Sequence, residues 1–508
     1  MAGEDSKGEK AATQTDHEPP AGAEATGTWT GEQGPLDYTA SAGWIVLRKK
    51  EKPAAEIFSI SYVAKGDAER PVTFVFNGGP GASSAFLHMG AVGPLRVAFP
   101  ADGRAPHMPP RLVSNAESWL AFTDLVLVDP VGTGFSRVIE DDTKDGQDTS
   151  KGRRTEDAGS REYFGYKRDL ESLCEFMSRW LSGQRRWGSP VFIAGESYGG
   201  YRVGRLVRML QETTGIGLNG AVLISPALEI TSLRPTDYDV LGWVDPLPTM
   251  ALAAVHHGRS RAFGDGAKPE DVRGEAEVFA TGEYATLLAR GAAMPAGDRE
   301  RILTRLADLV GLPVDLVVRA EGRVTLGTFT RELLRDERKV LGWYDATITA
   351  TDPFPDREAF AGPDPTLAGI DMAFTMAINR HLRSDIGVQT DREYLLLSDE
   401  VNEAWRNDAP EDFFTPPEGA TDDFRYGMSL NPHMKAFITN GHYDLVTPYY
   451  ATDRLRNLMR LDADMAGRLT VRHFDGGHMF YAWEDSRREL TAAIAAFVAD
   501  ALAPPGQP

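Results

Sequence analysis

The chain is a long acidic sequence of 508 residues, with 54 Lys and Arg against 74 Asp and Glu and a formal net charge of −20. Its 42% hydrophobic content can build a large core, which excludes a wholly disordered or fibrous protein. The acidic charge argues against a nucleic-acid partner or an anionic membrane surface. The sequence has no apolar run long enough to span a bilayer and no secretory signal at its start, so we expect a cytoplasmic protein.

The only cysteine, Cys174, cannot form a disulfide within the chain. It lies in an apolar-periodic run, where a lone thiol is typical of a small core side chain rather than of a nucleophile. The fold must therefore form without disulfide bridges, and we assign no catalytic role to this thiol.

The first predicted elements follow a tail, residues 1–35, which we expect to be flexible because it has hardly any large apolar side chains. Strand patterns begin at residues 43–47 and 57–63. Short buried runs then alternate with helical patterns, at residues 72–76, 125–128, 191–194 and 221–224. Such alternation is typical of a parallel sheet that helices cover on both faces.

The alternation stops between residues 229 and 425, where the sequence becomes helical and loop-rich. It resumes with strand patterns at residues 435–439 and 469–474, before an amphipathic C-terminal helix. We therefore predict an α/β fold with a mostly parallel central sheet. Its core has two parts, residues 36–228 and 426–508, and a helical cap insertion, residues 229–425, interrupts it.

The segment GESYG at residues 195–199 has the form G-x-S-x-G and lies between a predicted strand and a predicted helix. The small residues permit a sharp turn that presents Ser197 at the carboxyl end of the sheet. The alternative is a glycine-lined turn with an incidental serine. A serine with its ordinary pKa is a poor nucleophile, so a base and an orienting carboxylate must be found elsewhere.

Two such residues come at the ends of later predicted strands, Asp444 and His478. Taken singly, the first is an ordinary turn former and the second an ordinary loop histidine. His442 and His473 are local competitors, but one precedes the turn and the other sits inside a strand pattern. The chain order serine, acid, histidine favours a catalytic triad of Ser197, Asp444 and His478, and we predict that the insertion covers the serine.

An acyl-transfer serine also needs N–H donors aimed at the oxyanion that develops on the substrate. The N–H group of Tyr198, directly after the serine, is the first predicted donor. The glycine loop NGGPG at residues 77–81 supplies the second through Gly79, where the backbone can approach a substrate closely. A tight turn without a ligand is the alternative for this loop.

Four motifs together resemble, in order, those of the serine carboxypeptidases: NGGPGASS at 77–84, DPVGTGFS at 129–136, GESYGG at 195–200 and GHM at 477–479. The resemblance implies an α/β-hydrolase fold with a helical cap, release of single residues from the C-termini of peptides, and no metal or organic cofactor. It implies the triad and oxyanion roles above, and it implies that Asn77 and Glu196 bind the terminal carboxylate of the peptide substrate.

The chemistry of Asn77 and Glu196 can also be argued from the residues. Glu196 can bind a carboxylate only if it holds a proton and donates it, because two like charges in contact cannot both remain ionised. Asn77 donates its amide N–H without that conflict. The alternative for Glu196 is a solvated side chain that only fills the turn.

The sequence departs from the family pattern in four places. Ala82 replaces a cysteine, Gly200 replaces an alanine, and Phe480 and Tyr481 replace a valine and a proline. Ala91 stands where the family has an acidic residue that shares a proton with the glutamate beside the nucleophile. This last change removes one cause of a raised pKa at that glutamate and leaves desolvation as the main remaining one.

The sequence therefore favours a serine carboxypeptidase that acts on peptides. The enzyme alternative is an esterase or acyltransferase that uses the same triad on small acyl substrates. The other alternative is a binding or scaffold protein descended from a hydrolase, and the complete set of predicted triad and oxyanion residues argues against it.

Overall fold

The computed structural model describes residues 17–31, 34–66, 69–139, 160–264, 266–357, 359–405 and 419–504. Its strands are β1 (Ala23–Gly31), β2 (Gly34–Lys49), β3 (Lys52–Ala64), β4 (Val72–Phe76), β5 (Leu95–Val97), β6 (Leu112–Ser114), β7 (Asp124–Val128), β8 (Arg137–Val138), β9 (Val191–Glu196), β10 (Gly220–Ile224), β11 (Lys339–Leu341), β12 (Thr349–Thr351), β13 (Lys435–Thr439) and β14 (Leu469–Val471). The main sheet has the order β1-β2-β3-β7-β4-β9-β10-β13-β14, with β8 beside β3.

The helices cover both faces of this sheet and build the insertion. They are α1 (Ala85–Leu87), α2 (Tyr166–Gly183), α3 (Tyr198–Met209), α4 (Leu241–Val244), α5 (Leu247–His256), α6 (Pro269–Phe279), α7 (Ala285–Arg290), α8 (Ala296–Val310), α9 (Val314–Arg319), α10 (Leu326–Glu332), α11 (Pro365–Arg380), α12 (Asp399–Ala404), α13 (Thr421–Leu430), α14 (Tyr449–Leu458), α15 (Ala463–Gly467) and α16 (Glu484–Leu502). Within the described ranges, no helix has both the length and the apolar character needed to cross a bilayer.

The centre of the sheet consists of parallel strands. β4 pairs with β7 and β9, β10 pairs with β9 and β13, and β14 completes the parallel part at one edge. Every residue of β4, β7, β9 and β10 is buried, as expected for parallel strands covered on both faces. The prediction of a mostly parallel α/β sheet is confirmed.

The N-terminal region differs from its prediction as a flexible tail. Part of residues 1–35 forms β1, which pairs antiparallel with β2 along its whole length. Trp29 is 5% exposed, and its indole N–H donates to the carbonyl oxygen of Asn115 at 2.6 Å. The backbone pairing of a strand does not require large apolar side chains, so β1 can form although its segment has few of them. Residues 1–16, 32 and 33 of the predicted tail lie outside the described residues.

The predicted insertion, residues 229–425, divides between two cores. Helices α4 to α10, here called the cap helices, pack around a separate hydrophobic cluster, which also includes Leu445 and Tyr449 from the second part of the core. Helix α11 instead buries Ile370 and Phe374 in a cluster of the main core, where the rings of Phe374 and Phe86 lie 5.2 Å apart. The sequence predicts only that this region is helical and loop-rich, and not which core each of its helices joins.

Candidate active site

Ser197 occupies a sharp turn between β9, which ends at Glu196, and α3, which begins at Tyr198. Its backbone has φ 61° and ψ −123°, a strained conformation for a residue with a side chain. The turn places the serine at the carboxyl end of the sheet, as the sequence predicts. Ser197 and His478 line the same small cavity, of about 60 Å³.

Glycines make this turn possible because other backbone segments contact it closely. A Cβ atom at Gly195 would lie 2.1 Å from the carbonyl oxygen of Gly199. A Cβ atom at Gly78 would lie 2.5 Å from the backbone nitrogen of Tyr198. The predicted glycine loop and the serine turn therefore pack backbone against backbone, and no side chain fits between them.

His478 and Asp444 form a buried pair. Nδ1 of His478 lies 2.7 Å from Oδ2 of Asp444, and their side chains are 4% and 0% exposed. Burial by itself would lower the pKa of His478, but the Asp444 carboxylate and then Glu196 raise it above its ordinary value. With Nδ1 donating to Asp444, Nε2 is the ring nitrogen that can exchange a proton with Ser197.

The turn after Asp444 orients its carboxylate. Oδ1 accepts from the N–H groups of Val446 and Thr447, at 2.8 and 3.0 Å. The Thr447 hydroxyl donates to Oδ2 at 2.7 Å. The sequence analysis missed Thr447, although an aspartate that precedes a threonine by three residues is a signal for this type of turn.

The loop that carries His478 is held by a segment from the predicted insertion. The N–H of His478 donates to the carbonyl oxygen of Tyr344, and the N–H of Gly477 donates to Oδ2 of Asp345 at 3.0 Å. The indole of Trp483 donates to the same carboxylate oxygen at 3.1 Å. Burial raises the pKa of Asp345 to about 6. No sequence signal reveals this role of Asp345, because Gly477 and Trp483 lie more than 130 residues along the chain.

A buried ion pair fixes the glycine loop from the other side. Arg202 on α3 donates to the carbonyl oxygen of Asn77 and to Oδ2 of Asp169 on α2, both at 2.7 Å. The side chains of Arg202 and Asp169 are 1% and 3% exposed. This pair is not predicted from the sequence, although a charged residue among the apolar positions of an amphipathic helix indicates a buried ion pair.

The two predicted oxyanion donors are the N–H groups of Tyr198 and Gly79. Tyr198 is the first residue of α3, so its N–H has no partner within the helix. Gly79 has a φ of +96° and lines the same cavity as Ser197. The positive φ explains why the predicted donor is a glycine.

Glu196 and Asn77 form a buried contact at the edge of the same cavity. They are 2% and 3% exposed, and Nδ2 of Asn77 donates to Oε2 of Glu196. Oδ1 of Asn77 accepts from the N–H of Leu87 at 3.0 Å, which fixes the orientation of the amide. The hydroxyl of Tyr481 lies 3.0 Å from both carboxylate oxygens of Glu196. Sequence analysis noted Tyr481 only as a departure from the family pattern.

The environment of Glu196 differs from the alternative of a solvated side chain. Burial raises the pKa of Glu196 to about 7, although nearby His478 and the hydrogen bonds from Tyr481 and Asn77 act to lower it. Desolvation is therefore sufficient to raise this pKa with Ala91 in place of an acidic partner. Ala91 is itself buried in the core.

The two competing histidines have other partners. Nδ1 of His442 lies 3.0 Å from Asp475, and Nε2 of His473 lies 3.2 Å from Asp453. Neither of these histidines lines the Ser197 cavity, whereas His478 does.

Residues of the predicted insertion line the Ser197 cavity. Its further lining residues are Ala82, Phe86, Tyr344, Leu367, Leu397 and Met479. A larger, mainly apolar cavity of about 460 Å³ is lined by Trp243 and Leu326 of the cap helices and by Leu445 and Val446, which follow Asp444. Trp343 lines the larger cavity and its neighbour Tyr344 the smaller one, so this segment contributes to the walls of both.

Residues 31–234 match a family model described as serine carboxypeptidase. "Serine carboxypeptidase-like 8" from Arabidopsis thaliana is 29% identical over 185 residues, which are 36% of this chain and 37% of the relative. "Pheromone-processing carboxypeptidase kex1" from Schizosaccharomyces japonicus is 25% identical over 210 residues, 41% of this chain and 35% of the relative. The chain thus spans little more than a third of the length of these relatives.

A solved structure extends the likeness to most of the fold. The crystal structure of a prohormone-processing carboxypeptidase from Saccharomyces cerevisiae superposes with a TM-score of 0.53 at 15% identity, over 91% of this chain and 92% of that one. At this identity it supports the α/β-hydrolase fold alone. Residues 31–234 are thus similar to the serine carboxypeptidases in sequence, and most of the chain shares its fold with one solved carboxypeptidase.

Proposed function

We propose that the chain is a serine carboxypeptidase that removes C-terminal residues from peptides through an acyl-enzyme on Ser197. The observation that carries the proposal is the buried contact of Asn77 with Glu196 at the cavity that Ser197 and His478 line. A protonated glutamate and an amide can both donate to a carboxylate, which an ordinary esterase substrate does not have. This pair therefore distinguishes a C-terminal free acid from an ester or an amide.

The geometry supports a two-step acyl transfer. His478 takes the proton of Ser197 as Oγ attacks the carbonyl carbon of the last peptide bond. The N–H groups of Gly79 and Tyr198 donate to the oxyanion. The C–N bond then breaks, His478 gives the proton to the departing amine, and the C-terminal amino acid leaves.

Water completes the reaction by the same route. His478 takes a proton from a water molecule while the oxygen of that water attacks the acyl carbon. The ester bond to Ser197 then breaks, and His478 returns the proton to Oγ of Ser197. Asp444 stabilises the histidinium in both steps. The products are the shortened peptide and a free enzyme.

The proposal is tested with three substrates: a blocked dipeptide with a free C-terminal acid, its C-terminal amide and a simple aryl ester. We expect the free acid to be hydrolysed with the highest kcat/KM at mildly acidic pH. A fluorophosphonate should label Ser197, as peptide mapping of the labelled protein would show, and Ser197→Ala should abolish both labelling and hydrolysis.

Other outcomes point to the alternatives. Efficient hydrolysis of the ester without cleavage of the free acid at any pH would indicate an esterase with the same triad. A fluorophosphonate label that persists in Ser197→Ala would show that another residue is the nucleophile. If the protein hydrolysed none of the three substrates and were not labelled by the fluorophosphonate, this would support a binding protein.

A further inference from the structure

Tyr481 contacts both carboxylate oxygens of Glu196. It is fully buried, and its hydroxyl lies 3.0 Å from Oε1 and 3.0 Å from Oε2 of Glu196. Tyr481 belongs to a short 3-10 turn, Phe480–Ala482, that follows His478 by only two residues. The loop that supplies the histidine therefore also supplies a partner for the glutamate.

Small residues make room for the Tyr481 ring. A Cβ atom at Gly90 would lie 2.6 Å from a carbon of this ring, closer than real side chains approach one another. Gly90 and Ala91 belong to one helical turn, His88–Val92, and all of its residues are buried. The ring thus has a fitted position against this turn, and a phenol rather than a second carboxyl group partners Glu196.

A phenol and a carboxyl group act differently on a neighbouring glutamate. Burial raises the pKa of Tyr481 well above its ordinary value, so its hydroxyl stays protonated and acts as a donor. An O–H that donates to an ionised carboxylate stabilises the ionised form and opposes protonation. The other titratable groups near Glu196 are His478, which favours its ionised form, Asp444, which disfavours it, and Tyr344.

We propose that Tyr481 is a positioning residue that sets how readily Glu196 takes up a proton, and thereby the highest pH at which the chain recognises a free C-terminal carboxylate. Recognition of the carboxylate rests on the proposed function, whereas the control of Glu196 protonation does not. Because Tyr481 acts through Glu196, its removal alters the pH range for free-acid substrates and leaves the Ser197 chemistry in place.

The direct test follows the titration of Glu196 by ¹³C NMR in protein labelled at glutamate carboxyl groups. The resonance is assigned by its loss in Glu196→Gln. Tyr481→Phe removes the hydroxyl and keeps the ring, so we expect the midpoint of the Glu196 titration to rise by about one pH unit. Gly90→Ala, which displaces the ring and changes no polar group, should shift the midpoint in the same direction.

The matched control is Tyr394→Phe. Tyr394 is also buried and donates to a buried carboxylate, Oδ1 of Asp129, at 3.3 Å. This variant removes the same atom at a comparable site and should leave the Glu196 titration unchanged. A Glu196 midpoint that is the same in Tyr481→Phe as in the wild type, or that moves equally in Tyr394→Phe, would overturn the proposal.

Activity gives the second readout. In Tyr481→Phe, the alkaline limit of kcat/KM for the free-acid peptide should move up by about one pH unit, while the profile for its amide stays as in the wild type. A shift of both profiles together would contradict a role through Glu196. If the wild type does not cleave free-acid peptides, the proposed function is wrong, and the NMR titration still decides the role of Tyr481.

Discussion

The residues around Ser197 and the cap helices are built on different physical principles. Around Ser197, backbone packs directly on backbone: a Cβ atom at Gly78 or Gly195 would lie within 2.5 Å of a backbone atom. The cap helices instead pack aliphatic and aromatic side chains around their own cluster, which includes Phe329 and Leu306. In the first region the backbone contacts leave no room for a Cβ atom at these glycines, whereas the second has the adaptable packing of an ordinary helical core.

This difference indicates where changes in sequence can be tolerated. In the first region, Arg202 and Asp345 hold the loops at Asn77 and Gly477 in place. Arg202 donates to the carbonyl oxygen of Asn77, and Asp345 accepts from the N–H of Gly477. The larger apolar cavity lies where cap helices meet the loop after Asp444. We therefore expect substitutions near Ser197 to lower kcat, whether or not they also lower stability, and substitutions in the cap helices to lower stability without a change in kcat.

The largest effect is expected from the proposed triad. Asp444→Asn and His478→Ala should each lower kcat by about 10³-fold or more, because the triad acts as one unit. Thermal unfolding should change much less than activity. The measurement is kcat on the aryl ester together with the melting temperature, and near-normal turnover in either variant would mean that the wrong partner is assigned.

The next effect is expected from the buried ion pair. Arg202→Met leaves Asp169 buried without its partner and should destabilise the fold by about 3–5 kcal/mol. Equilibrium unfolding in urea measures this change. Because Arg202 also holds the carbonyl oxygen of Asn77, we expect kcat to fall as well.

The matched control for this pair is the double variant Arg202→Met with Asp169→Asn. It removes both charges and should recover part of the lost stability without recovering kcat. Full recovery of kcat would show that Arg202 does not position the glycine loop.

A smaller effect is expected in the pH profiles. Glu196 must be protonated to bind a carboxylate and its pKa is about 7, so kcat/KM for free-acid peptides should fall about tenfold per pH unit above that value. The amide does not require this proton, and its cleavage should improve as pH rises and His478 becomes neutral. Glu196→Gln should bring the two profiles together, because glutamine donates without a proton change. Profiles that already superimpose in the wild type would contradict the role of Glu196.

The smallest effect is expected in the cap helices. Phe329 is fully buried there, and Phe329→Leu should reduce stability by about 1 kcal/mol while kcat on the aryl ester stays unchanged. Arg319→Ala is the control in the same region, since its ion pair with Asp315 is exposed and should contribute nothing measurable. A loss of kcat in Phe329→Leu as large as in the triad variants would erase the distinction between the two regions.

The parts of the site that could be predicted are those with a local sequence signal. The strand and helix patterns around G-x-S-x-G predict the turn at Ser197, and Asp444 and His478 follow predicted strands of the same sheet. Residues that support these groups have no such signal. Asp345 contacts Gly477 across 132 residues, and Tyr481 contacts Glu196 across 285 residues, so only the folded chain brings each pair together.

The sequence alone accounts for the parallel sheet and for the position of the turn at Ser197, because these depend on periodicity and on the backbone freedom of nearby glycines. It also gives the chain order of Ser197, Asp444 and His478, on which the proposed triad is based. Tertiary structure decided which core each helix of the insertion joins and that β1 belongs to the sheet. It also decided the proton affinity of Glu196, because desolvation depends on everything that packs around a side chain. In this chain Tyr481, Asn77 and the surrounding core keep the Glu196 carboxyl group away from water.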